Sequence, residues 1–166
     1  MSTPSVSLLT RIRQNHALEH ATIHMLARRH PHPKIIARSD WSGFTIYGKL
    51  DTVVVASATS EALARLQSGE KNLAVHPRCG TNLVVGGLVA GAASSLTLMG
   101  KERSPLKRLG NFVAAATVGI FLAQPLGPIV QQYLTTSSDL MDVHITEIVR
   151  EQRGKLIVHR VRVGLR

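Results

Sequence analysis

His16, Glu19 and His20, in the run HALEH, form the HxxEH pattern of one class of zinc hydrolases. On a helix, side-chain bases four residues apart lie roughly 5–6 Å from one another, so both imidazoles can reach one ion. On a wheel of about 100° per residue, His16, Glu19 and His20 fall on the side of Leu9, Ile12 and Ile23, inside the apolar stripe. A buried polar group without a partner costs roughly 1–3 kcal/mol. Three adjacent ones ask for a common solution, and a metal ion supplies it. The plainer alternative is a pair of core histidines held by hydrogen bonds. For this trio at this spacing, metal binding is expected, with Glu19 as the general base.

A metal needs further ligands. HPRCG, from His76 to Gly80, offers His76 and Cys79 three residues apart in a turn shaped by Pro77 and Gly80. Imidazole and thiolate both suit zinc. Taken singly, His76 reads as a surface-loop histidine and Cys79 as a small buried apolar residue. Paired with HALEH, they become candidate ligands of a Zn2+ site: one of them as the third ligand beside an open position, or both as the third and fourth. Glu70 is a further candidate ligand. His24 lies at the edge of the same helix face and is given a structural reading, as are His30 and His32 among prolines. His144 and His159 are expected to pair across a carboxyl-terminal hairpin.

The elements that must position these residues can be read in outline. A first helix is expected from Pro4 or Ser5 to Arg29, capped by Thr3 and stopped by His30–Pro33. Lys34–Ser39 and Gly43–Lys49 read as a hairpin around SDWSG. Asp51 or Thr52 starts a second helix through Gln67, although the VVV run also permits a strand before a shorter helix from Ser60. Asp142–Arg150 and Leu156–Val163 alternate around QRGK, with Gly154 supplying the turn.

Between these lie two uncharged stretches, Cys79–Gly100 and Leu109–Ser138. A membrane span needs about 20 mostly apolar residues, and both stretches read as spans. Gln124, Pro125 and Pro128 interrupt the second. Gly87 and Gly91 give the first a GxxxG spacing, a possible face for self-association in lipid. The fold expected is therefore α+β. A small metal-binding α/β-hairpin domain (1–79) is attached to a two-helix transmembrane hairpin (80–138), and a basic β-hairpin (139–166) follows.

The 166 residues carry 20 Lys+Arg against 10 Asp+Glu, a net charge of +10. That balance suits anionic lipid. Basic residues are dispersed and aromatics few, so no specific nucleic-acid partner is expected. A lone cysteine excludes an intrachain disulfide. No signal peptide is read at the amino terminus. The basic link Lys101–Arg108 satisfies the positive-inside rule if it is cytoplasmic. The basic flanking domains compete for that side, and the main domain is the part expected to face the cytoplasm.

HALEHATIH, the strand GFTIYG and LAVHPRCGTN followed by apolar helices resemble an uncharacterised bacterial membrane-protein family of unknown function. More distantly, His16, Glu19, His20, Thr22, Ile23 and His76 through Thr81 are similar to a family of predicted metal-dependent membrane enzymes. Ala21 stands where that second family tends to have Lys. The resemblance implies a membrane-associated metal site. It leaves two readings open: a zinc hydrolase acting on membrane proteins or peptides at the bilayer surface, and a non-catalytic protein with a structural zinc that binds lipid or a partner protein.

Overall fold

A computed structural model describes residues 6–30, 34–100, 104–154 and 156–166. Thr3, Pro4, His32 and the first part of the basic link, all used in the sequence reading, lie outside the described residues. The chain is mixed α+β and divides into two compact units, Met1–His76 with Leu134–Arg166, and Pro77–Tyr133.

In the first unit, helix α1 spans Leu8–Arg29. It begins later than expected because Ser7 caps it, accepting from the Thr10 amide at 3.1 Å. Arg28 and Arg29 occupy the last turn, where positive charge complements the helix dipole. Strands β1 (Ile36–Asp40) and β2 (Gly43–Tyr47) form the expected hairpin. Helix α2 runs over Thr52–Gln67 without a preceding strand. Strands β3 (Val143–Arg153) and β4 (Leu156–Leu165) form the carboxyl-terminal hairpin, turned at Gly154 with φ of 63°.

The two hairpins are not separate. β4 pairs with β2, giving one antiparallel sheet of order β1-β2-β4-β3. Phe44 opposes Val161, and both are fully buried. They join Leu18, Met25 and Leu26 of α1 and Val55, Ala58 and Leu66 of α2 in one core. A register shift between Ile145 and Glu147 interrupts the expected alternation of β3. Inward positions pass from Val143 and Ile145 to Ile148, the parity change that one extra residue imposes.

His144 and His159 are not cross-strand partners: His144 lies opposite Gly164 and His159 opposite Arg150. His159 is fully buried with Nε2 3.2 Å from Thr52 Oγ1, while its Nδ1 has no partner. Burial pushes its pKa down and the nearby Arg150 charge adds to this, against an opposing pull from Asp51. The Asp40 carboxyl is held below its ordinary pKa, chiefly because Arg160 donates to Oδ1 at 2.7 Å.

In the second unit, α3 (Gly80–Leu98) and α4 (Pro105–Ala123) are both long and apolar enough to cross a membrane. Leu83, Leu88, Val113 and Phe121 are among the apolar side chains exposed along them. α4 ends before Pro125, as the sequence suggested. A short helix, α5 (Leu126–Val130), and a π turn (Gln131–Thr135) follow. The close approach of α3 and α4 is at Gly119, where a Cβ would lie 2.8 Å from Ala90 Cα. Gly87 and Gly91 are exposed and meet nothing within 4 Å.

Gly43 has φ of 144°, and a Cβ there would lie 2.0 Å from the Val161 carbonyl oxygen; Gly69, with φ of 98°, faces open space. Gly43→Ala is predicted to destabilise the protein by about 3 kcal/mol or more, Gly69→Ala by about 1 kcal/mol; thermal unfolding followed by circular dichroism compares them. His159 supplies a pH dependence. Its folded pKa is depressed, so below about pH 6.5 the unfolded chain takes up a proton that the folded one refuses, and stability falls with pH. His159→Gln should flatten the fall in Tm between about pH 7 and 5.

Candidate metal centre

The residues that could hold an ion lie along α1 and the segment that closes the first unit at His76. After α2, a single 3₁₀ turn (Lys71–Ala74) brings the chain back against α1. The carbonyls of Ala74 and Val75 then face the helix histidines. His20 Nδ1 lies 2.7 Å from the Ala74 oxygen and His24 Nε2 lies 2.9 Å from the Val75 oxygen. Where the chain re-enters the first unit, His16 Nδ1 lies 2.9 Å from the carbonyl oxygen of Thr135.

A carbonyl can only accept, so each of these ring nitrogens is the one that carries hydrogen. His16 and His20 are therefore Nδ1–H tautomers whose Nε2 bears the lone pair, and His24 is the reverse. A backbone carbonyl on one ring nitrogen is the usual support of a histidine that ligates metal through the other. The His16 and His20 ring centroids are 4.3 Å apart at 60°. His20 to His76 is 5.7 Å, and His24 to His76 is 4.9 Å. Candidate ligand nitrogens of His16 and His20 lie within 4.8 Å of each other. Glu19 is 7% exposed and His20 is 3% exposed, whereas His16 and His76 are half-buried. The wheel placed these residues on the buried side correctly at the centre of the helix; at its start, Leu9 is exposed.

The first unit thus brings together His16, His20 and His76 of the expected ligand set. Cys79 belongs to the second unit, three residues along the chain from His76. There it is the N-cap of α3, and its Sγ accepts from the Thr81 amide at 3.4 Å. Asn82 closes the turn by donating to the Pro77 carbonyl at 2.8 Å. Glu70 is engaged elsewhere, 2.7 Å from Arg65 Nε. His24 joins the cluster although its sequence reading was structural. The signal was the repeat of histidine at 16, 20 and 24, which keeps one imidazole per helical turn along nearly the same face.

The fold and this cluster define a mixed α+β protein with a histidine-lined buried helix and two helices able to cross a membrane. The chain belongs to the family described as Domain of unknown function (DUF6391), whose family model matches residues 11–148. An uncharacterised protein of Picosynechococcus sp. (strain ATCC 27264 / PCC 7002 / PR-6) is 38% identical over 151 residues, covering 82% of this chain and 71% of that protein. No solved structure matches the chain.

The tautomer assignment can be tested without any metal. In chelator-treated protein, long-range ¹⁵N–¹H correlation spectra should show Nδ1–H for His16 and His20 and Nε2–H for His24. An Nε2–H tautomer at His16 and His20 would move the lone pairs to Nδ1, facing the carbonyl oxygens, and would overturn the assignment.

Proposed function

We propose that this is an integral membrane protein that binds zinc through His16 and His20, with His76 or Cys79 as the third ligand. The observation that carries the reading is the shared support of the two helix histidines. Each sets Nδ1 against a main-chain carbonyl from one of two successive helical turns, and a ligand atom of each ring lies within 4.8 Å of the other's. The donor set fits the ion, because imidazole and thiolate are both good zinc ligands. The distant similarity of the HALEH and HPRCGT runs to predicted metal-dependent membrane enzymes points the same way.

On this reading the protein is a hydrolase working at the bilayer surface on a membrane protein or peptide. Bound zinc would supply Lewis acidity and lower the pKa of a water ligand to about 7. Glu19 lies between the two histidines in sequence and is buried; its part is to take and return a proton. α3 and α4 form the membrane hairpin and the first unit faces the cytoplasm. Anionic lipid meets the basic surface, and the exposed Gly87–Gly91 face is the place for self-association.

One observation favours the alternative of a structural zinc. His20 and His24 already pin residues 74 and 75, so an ion there would reinforce an existing clamp. Four protein ligands would close the tetrahedron, and Glu19 would then orient an imidazole. Three would leave the position that catalysis needs.

Metal analysis of detergent-purified protein tests the core of this proposal. Wild type should carry stoichiometric zinc, His16→Ala and His20→Ala almost none, and Cys79→Ala a reduced amount. Glu19→Gln should keep the metal and, once a substrate is found, lose turnover. Full zinc in the His16→Ala, His20→Ala double variant would sink the proposal. In oriented vesicles, both chain ends should share one protease sensitivity; opposite protection of the two would refute the membrane hairpin.

A further inference from the structure

The connection from β2 to α2 builds a cleft that the zinc reading does not use. Gly48, with φ of 152°, lets this connection press against the chain before β1; a Cβ there would lie 2.6 Å from Ile35 Cγ2 and 2.9 Å from the Lys34 carbonyl oxygen. The Gly48 amide donates to the Ile157 carbonyl at 2.9 Å, which ties the connection to β4. What remains is a cleft of about 710 Å³, within the range of small-ligand sites. Its walls include Ile35, Leu50, Val54 and Ile157. Lys34, Lys49 and Arg150 also line it, against the single carboxylate of Asp51. All three cations are exposed, and none is in an ion pair among the described residues.

The two halves of this lining ask for different things. Hydrocarbon walls give a bare inorganic anion nothing. Three unneutralised cations give a neutral apolar solute only their stems. A molecule with one acidic end and one hydrocarbon end satisfies both, and the Arg150 guanidinium matches a carboxylate in fork geometry. We infer that this cleft binds a long-chain carboxylate, with its head on Lys34, Lys49 and Arg150 and its chain along Ile35, Leu50, Val54 and Ile157. The site lies wholly within the first unit and is independent of the metal.

Photolabelling tests it. The full chain in zwitterionic nanodiscs is irradiated with a palmitate bearing a terminal diazirine, and the labelled peptides are mapped. Label is expected within residues 34–54 and 150–157. It should fall about fivefold or more, the equivalent of roughly 1 kcal/mol, in the Lys34→Ala, Lys49→Ala, Arg150→Ala variant, with zinc content unchanged. Val54→Trp, which fills the cleft and keeps its charge, should lower it similarly. Excess laurate should displace the probe; inorganic phosphate and a neutral maltoside should not. Label confined to residues 80–123, or indifferent to the charge variant, overturns the inference. Displacement by phosphate alone would make the cleft a simple anion site, and equal displacement by the maltoside a simple apolar one; either result also overturns it.

Discussion

The polar face of α1 has to satisfy main-chain carbonyls that no regular element reaches. Arg13 donates to the Thr136 oxygen, Gln14 to Asp139, Asn15 to Asp40, His16 to Thr135, His20 to Ala74 and His24 to Val75. Each acceptor belongs to a segment distant in sequence, and all but Asp40 lie outside the sheet. An unmet buried carbonyl costs free energy comparable to a lost hydrogen bond. A helix whose buried stripe is partly polar can therefore be as stabilising as an apolar one, provided every donor finds its oxygen. Gln67 of α2 repeats the device, its amide serving the carbonyls of both Leu140 and Val143.

This arrangement links the scaffold to the candidate chemistry. The carbonyls that accept from His16 and His20 were there to be satisfied in any case. Meeting them with imidazole instead of amide leaves one basic nitrogen per ring, which Asn or Gln would not supply. Thr135 and Ala74 also lie beside the two points where the chain leaves and re-enters the first unit. An ion shared by His16 and His20 would thus bear on both connections through one helix.

Much of this could be read locally. The HALEH spacing located the buried centre of α1. The Pro- and Gly-bounded runs located both hairpins, and Asp51 marked the start of α2. Pairing between the hairpins could not be read, because alternation along a strand says which side chains share a face and nothing about which strand lies alongside. β2 joins β4 through the Phe44–Val161 contact, a pairing decided by the core. The same limit misplaced the two late histidines. Register sets Gly164 opposite His144, so close that a Cβ on it would lie 2.7 Å from the ring. His24 and Glu70 depend on partners in the same way: His24 holds the Val75 carbonyl and stands 4.9 Å from the His76 ring, and Glu70 is held by Arg65.

Small residues in the apolar hairpin show the same dependence on partners. GxxxG spacing at Gly87 and Gly91 suggested close helix contact, yet the contact within the chain uses Gly119 against Ala90. Ser94 Oγ donating to the Phe112 carbonyl at 3.1 Å, and Gln131 Nε2 donating to Asn82 Oδ1, reinforce that side of the hairpin. The Gly87–Gly91 ridge is thereby left facing outward, with no Cβ to hold a neighbouring backbone away. A second helix approaching that ridge would meet main chain directly, whereas one approaching Leu83 or Leu88 would meet exposed apolar side chains.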